Sequence, residues 1–145
     1  MNKKIIKFEI VTPERVVLQA NITQVTIPTK DGEITVLANH IPLVSILKPG
    51  VMELLLEDGE REVLSVSGGF IEVLRDKVVV LADTAERAHE LDFEKVEEAR
   101  ARAEKIKSDT ERSDEQEFSD ISSRLAIELA RTKAVIRWRK LKNLK

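Results

Sequence analysis

The stretch Val66–Ala85, VSGGFIEVLRDKVVVLADTA, decides the fold. Two apolar runs, Phe70–Leu74 and Val78–Leu81, flank the polar triplet Arg75-Asp76-Lys77. β-Branched and aromatic residues on either side of a short polar link predict a β-hairpin. Gly68-Gly69 opens the stretch, where the backbone can turn or approach another segment closely. Past Ala85 the character of the chain changes. Everything upstream reads as strand and turn, and everything downstream as helix, so this hairpin is both the last strand pair and a seam.

Working back toward the N-terminus, Ile6, Phe8 and Ile10 alternate with Lys7 and Glu9, the pattern of a half-buried strand. Thr12-Pro13-Glu14 turns the chain, and Val16–Ala20 and Thr23–Ile27 read as two short strands separated by Asn21. Polar loops follow at Pro28–Gly32 and Ala38–Pro42, around a strand at Glu33–Leu37. Leu43–Leu47 is apolar and ends at Lys48-Pro49-Gly50, and Val51–Leu56 and Glu62–Val66 flank the turn Glu57-Asp58-Gly59-Glu60. This predicts about eight to ten short strands with frequent turns, an all-β sandwich or barrel. With no crossover helices between them, the strands are expected to pair antiparallel.

Downstream, Asp92 is suited to cap a helix, with Glu94 in the first turn facing the positive end of the dipole. Phe93, Val96, Ala99 or Arg100, Ala103 and Ile106 recur at helical spacing, and Glu98 and Arg102 stand four apart in the favourable orientation. Ser108–Arg112 interrupts the pattern, and Ser113 with Gln116 reads as a capping box for a second helix. Its apolar stripe is Phe118, Ile121, Leu125, Leu129 and Ile136, and Ala126, Ala130 and Ala134 are small enough for another helix to lie close. The fold class is therefore an N-terminal antiparallel β-sandwich, residues 1–86, followed by a C-terminal antiparallel two-helix hairpin, residues 87–145. Neither helix is very apolar, so the hairpin is expected to be weakly held and docked on the sandwich or on a partner.

Composition narrows the function. The chain has 145 residues, no cysteine and a net charge of −2. That excludes disulfides and thiolate chemistry, and it gives no nucleic-acid signature. No apolar run approaches the roughly 20 residues of a membrane span. The N-terminal MNKKIIKFEI meets Lys7 and Glu9 too soon to be a signal peptide. His40 and His89 stand in unrelated contexts, and no metalloprotease, serine-hydrolase or phosphate-loop motif occurs. No catalytic residue and no metal site is assigned. His40 reads as a loop residue bonded to nearby backbone, or else as an interface contact. After Glu128 every charged residue is basic: Arg131, Lys133, Arg137, Arg139, Lys140, Lys142 and Lys145. Seven cations exceed what a helix dipole needs. They suggest an acidic partner surface, with Trp138 as an anchor.

Ser67–Val73 followed by Val80–Ala85 resembles the last hairpin of the epsilon subunits of F-type ATP synthases. Asn39-His40-Ile41-Pro42-Leu43, Lys48-Pro49-Gly50, Val11-Thr12-Pro13 and Asp31-Gly32-Glu33 resemble other turns of that family, in the same order and spacing. The resemblance is strong to about Arg102 and looser after it. It implies a non-catalytic central-stalk subunit that couples rotation of an ion-driven ring to the catalytic head. The implied partners are the gamma subunit, the ring of c subunits and, through the C-terminal helices, the alpha and beta subunits. The implied location is the cytoplasmic face of the cell membrane, peripheral and without a span.

The resemblance further implies that Asp31, Glu33 and His40 face gamma and the c ring, and that the hairpin, with Arg137, Trp138 and Arg139, can extend and restrain ATP hydrolysis. Some members bind ATP at the helix pair. The matching positions here are Glu86, Asp92, Lys95 and Arg102, with Lys133 and Arg137 as second-helix cations. Lys95 stands where the motif has Arg and Val96 where it has Ala. The first loses a planar fork for phosphate and the second crowds a small site, so the expectation is no cofactor, with ATP at most a regulatory ligand. The alternative is a free-standing binding module. It would need a concave aromatic or polar site, and Phe8 and Phe70, the only aromatics of the sandwich, read as core.

Overall fold

The computed structural model describes residues 4–110 and 114–143. Seven strands come first: β1 (Ile6–Val11), β2 (Val16–Thr29), β3 (Gly32–Leu37), β4 (Leu43–Ile46), β5 (Gly50–Leu56), β6 (Arg61–Val73) and β7 (Lys77–Arg87). A short 3₁₀ turn, Ala88–Glu90, leads into α1 (Phe93–Asp109) and α2 (Glu115–Leu141). The count is lower than the turn spacing predicts because β2, β6 and β7 are long. Asn21 does not break β2, and Gly68-Gly69 do not break β6.

The long strands serve two layers. The first half of β6 pairs with β5, from Leu55↔Arg61 to Gly50↔Val66, and the second half pairs with β4, from Ile46↔Phe70 to Leu43↔Val73. Likewise β2 pairs first with β1 and then with β3 and β5. The change of partner in β6 falls at the two glycines. Gly68 has φ +53° and Gly69 φ +113°. A Cβ on Gly69 would collide with the Leu81 carbonyl oxygen. The pair thus lets the strand pass between layers while its register with β7 runs on from Leu64↔Arg87 to Val73↔Val78.

One pairing departs from the antiparallel expectation: β1 and β7 are parallel. The cause is topological. The strand path β1-β7-β6-β5-β2 closes through β1–β2. A closed ring with an odd number of members cannot alternate direction throughout, so one neighbouring pair must run parallel. First and last strands meet with the whole sheet between them in sequence, and no crossover helix is needed.

Between the layers lies an aliphatic core. Ile10, Ile22, Val25, Ile27, Val36, Met52, Leu54, Leu64, Ile71, Val73, Val78 and Val80 are fully buried. Each such side chain contributes about 1.5–3 kcal/mol relative to exposure. Phe8 belongs to this core, as expected, but Phe70 does not.

The helices form the expected antiparallel hairpin. Asp92 caps α1, accepting from the backbone N–H groups of Glu94 at 3.0 Å and Lys95 at 3.3 Å. Glu111, Arg112 and Ser113 lie outside the described residues, as does Lys145. Within them Asp114 caps α2, accepting from Glu117 N–H at 3.0 Å. The ion pairs of α1 gather on Arg100, at 3.0 Å from Glu97 and 2.8 Å from Glu104. No ion pair joins Glu98 to Arg102 among the described residues.

Candidate functional site: two opposite faces of the sandwich

One outer face of the sandwich is covered by α2. Strand β6 is buried without interruption from Glu62 to Ser67, although a strand with one solvated face would alternate. Val63 points outward from the core and meets Ala88 and Ala134, with Val51, Trp138 and Leu141 around them. The alanines of α2 therefore have a different role from the one their size suggested. Ala134 packs on the sheet, and Ala126 lines a cleft of about 620 Å³ with Pro49, Ser67, Gly68 and Thr84. They let the helix lie close to the sandwich rather than to another helix. The apolar stripe turns to α1 only in its first half, where Ile121 lines a groove with Ala103 and Ile106 and Phe118 lies beneath Lys107, 5.5 Å from Nζ to the ring centre, whereas Ile136 is exposed.

The basic end of α2 also faces the chain's own sandwich. Arg137 donates twice to Glu53, at 3.1 and 3.3 Å. Lys142 reaches Glu60 at 3.0 Å, and Arg131 lies 3.0 Å from Glu86. The Arg139 guanidinium sits over Phe93, 4.8 Å from the ring centre. So Arg137, Trp138 and Arg139, expected as contacts to a partner, engage the sandwich and α1 in this conformation. At the joint, Glu62 is 9% exposed and takes Arg87 bidentately at 2.7 and 3.2 Å. The hydrogen bond from Arg87 to Glu62 raises the guanidinium pKa above its ordinary value. His89 Nε2 is 3.5 Å from Glu62 and its ring is tilted against Trp138.

The opposite outer face is left uncovered by the described residues and is largely apolar, with exposed Glu72 between Val44 and Val79. Pairing places Ile46, Phe70 and Leu81 in one row across β4, β6 and β7, and Val11 of β1 continues it. Ile46, Phe70 and Leu81 are 47%, 55% and 54% exposed. Val44 on the neighbouring row and Leu37 and Ile41 at the rim are exposed as well. This corrects the reading of Phe70 as core. The residue follows the glycine pair, and its side chain lies on the outer side of β6 while Ile71 points in. A signal for this face does exist in the sequence. Val78–Leu81 is apolar without alternation, which on a strand means that both faces call for cover.

The residues expected to face gamma and the c ring lie near this surface's rim or at a hairpin tip. Asp31 and Glu33 are exposed at the β2–β3 turn. His40 is half-buried beside exposed Ile41, with Nδ1 2.6 Å from the Ile41 carbonyl oxygen. Asn39, at φ +66°, ties this loop to the β6–β7 turn through its N–H to Arg75 O at 2.8 Å.

The four residues expected to hold ATP are differently engaged. Glu86 is held by Arg131, Asp92 caps α1, and Lys95 is exposed. Arg102 lines an interhelical groove of about 410 Å³ with Ile106, Ile121, Arg124, Ile127 and Glu128. Ten residues of helix, about 15 Å, separate Arg102 from Asp92. Of the two proposed second-helix cations, Lys133 is exposed and Arg137 is bonded to Glu53. No group of three or more His, Asp or Glu suited to a metal occurs among the described residues.

Comparison with known proteins agrees with the geometry. Residues 5–88 match the family described as ATP synthase, Delta/Epsilon chain, beta-sandwich domain. The chain is 53% identical over 97 residues to the ATP synthase epsilon chain of Dichelobacter nodosus, covering 67% of this chain and 68% of that one. It is 40% identical over 121 residues to the ATP synthase epsilon chain of Herpetosiphon aurantiacus, covering 83% and 88%. It superposes with a TM-score of 0.76 on a chain in the structure of the Euglena gracilis mitochondrial ATP synthase OSCP/F1/c-ring, at 26% identity, covering 88% of this chain and 79% of that one. A chain of the Tetrahymena thermophila mitochondrial ATP synthase central stalk and c-ring shares the fold, with a TM-score of 0.57 at 14% identity. The sandwich, the docked hairpin and these relatives together place the chain in the family of ATP synthase epsilon chains, non-catalytic subunits of the enzyme's central stalk.

Proposed function

We propose that the uncovered apolar face is where the sandwich seats on the rest of the rotor, against gamma and the c ring, so that the chain turns with them and couples ring rotation to the catalytic head. The observation that carries this is the contrast between the two outer faces. One is covered by the chain's own helix, and the other leaves Val44, Ile46, Phe70 and Leu81 in contact with water. A contiguous apolar face of this kind marks an interaction surface. Asp31, Glu33 and His40 form polar contacts at its rim and at the β2–β3 tip. The chain works at the cytoplasmic face of the cell membrane without entering the bilayer. In support, no helix of the described residues is long and apolar enough to cross a membrane.

Residues 87–145 act as a regulatory unit on this reading. Docked, the hairpin leaves the catalytic head free. Lifted, it extends toward the alpha and beta subunits and restrains hydrolysis, with Arg137, Trp138 and Arg139 making new contacts. The two states exchange by population shift. No cofactor takes part, since Glu86 and Asp92 are already engaged within the chain and Lys95 lacks the guanidinium fork. Titration of the purified chain with Mg-ATP tests that point, and heat release saturating at a one-to-one ratio would overturn it.

The experiment for the function as a whole uses a catalytic head depleted of its own epsilon chain. Adding the full chain is expected to bind stoichiometrically and lower ATP hydrolysis. A chain ending at Asp92 should bind and leave hydrolysis unchanged. Binding without inhibition by the full chain removes the brake and keeps the coupling role. Absence of binding removes both.

A further inference from the structure

We propose that the hairpin is held down by an electrostatic latch, in which Glu53, Glu60 and Glu86 of the sandwich grip Arg137, Lys142 and Arg131 of α2 and its C-cap. Ionic conditions then set how often it lifts. This rests on the reading that the hairpin moves as a unit.

The apolar seam alone is thin. Among the described residues its hydrophobic cluster has three buried members, Val63, Ala88 and Ala134, against nineteen in the core cluster of the sandwich. The charges are arranged to make up the difference. The three carboxylates come from β5, the β5–β6 turn and β7, so they fix the second half of the helix at Arg131 and Arg137 and its end at the C-cap Lys142. Isolated surface pairs contribute little, but bidentate and networked ones contribute more. Glu53 accepts two bonds from Arg137 and one from Arg61 at 3.2 Å, and its side chain is only 18% exposed. Arg131 bridges Glu86 and Glu128. The sign of a salt effect separates the two kinds of docking. Screening loosens ion pairs between partly exposed groups, whereas it does not weaken apolar contact.

The absence of cysteine from the chain allows a direct test. A single thiol introduced as Ala134→Cys lies in the seam, and its labelling rate by a maleimide reads the opening equilibrium. Ala130→Cys, also buried on α2, serves as a second reporter if the first disturbs packing. Ala82→Cys, buried in the sandwich core, reports global unfolding. Labelling of the full chain is compared at about 0.01 M and about 1 M NaCl, where the screening length falls from about 30 Å to about 3 Å. The expected result is a roughly tenfold faster labelling of the seam thiol at high salt. The Glu53→Gln, Glu60→Gln, Glu86→Gln variant should label as fast at low salt and lose its salt response. The Ala82→Cys thiol should stay protected throughout. Labelling that is unchanged or slower at high salt overturns the latch, as does a salt response that survives in the glutamine variant. Core and seam thiols opening in step would overturn it too. A latch that opens as expected in a chain that does not inhibit the catalytic head stands by itself, and the brake alone fails.

Discussion

Gly69 shows how much one residue without a side chain carries. At φ +113° its backbone occupies a region that L side chains rarely adopt, and any Cβ would press on the Leu81 carbonyl. Gly69→Ala is expected to destabilise the sandwich by at least about 2 kcal/mol, read as a lower midpoint in urea unfolding. Glu62 is the other residue with a fixed task. Replacing it with Ala leaves the Arg87 guanidinium without its bidentate partner at the base of the hairpin, at a cost of about 1–3 kcal/mol. The sign of its pH dependence follows from the raised pKa of Arg87. A cation whose pKa is higher in the folded chain contributes stability below its unfolded value and loses it only as pH rises through the folded one. The destabilisation by Glu62→Ala should therefore be the same at neutral and at mildly alkaline pH, measured by denaturant unfolding. At this scale the sequence was legible where a residue acts on its neighbours. Asp92 announces itself as a cap because the N–H groups it accepts from lie two and three residues away. Glu53 and Arg137 stand 84 residues apart, and no local pattern joins them.

The elements differ in how securely they are held. The sheet closes on itself through β1–β2, whereas α1 contributes a single fully buried side chain, Val96. Loss of the Asp92 cap through Asp92→Ala should cost about 1 kcal/mol and fall on the hairpin alone. Amide exchange should quicken in α1 and stay unchanged in β5 and β6. Ala134→Leu tests the other contact of the hairpin. Ala134 is fully buried against Val63 and Ala88, so added methyl groups have nowhere to go, and strain of about 1–3 kcal/mol should lift α2 from the sheet. Emission of Trp138, the sole tryptophan, should shift to the red. Turns, the strand-to-helix seam and the helix pair were readable from spacing and capping residues. The length of β6 was not, because a Gly-Gly pair reads as a break when neither its paired register with β7 nor its change of neighbour is visible. The alanine stripe marks a close-packing surface without marking its neighbour, since small residues specify distance and not what lies across it.

On the scale of the whole molecule, the sandwich is a partition with two differently treated outer faces. The face made by β5, the first half of β6 and the end of β7 is occupied by α2, with carboxylates matched to its cations. The face made by β4, the second half of β6 and the start of β7 carries Ile46, Phe70 and Leu81 and is left uncovered by the described residues. The last hairpin, which carries the family resemblance most strongly, also holds Phe70 and Leu81 of the uncovered face, but their outward direction follows from the glycine pair and the strand register, which no local pattern of the sequence displays. On the proposed function the division between the faces would also separate two tasks physically, so that the hairpin could move without unseating the chain from the rotor. The most direct test is the affinity of an epsilon-depleted central stalk for the full chain and for its Ile46→Asp, Phe70→Asp variant. Both positions are about half exposed, so the variant should fold and keep its hairpin docked. At least about a hundredfold loss of affinity is expected, the scale for placing unpaired charges in an apolar contact. An unchanged affinity in a correctly folded variant would contradict the proposed seating.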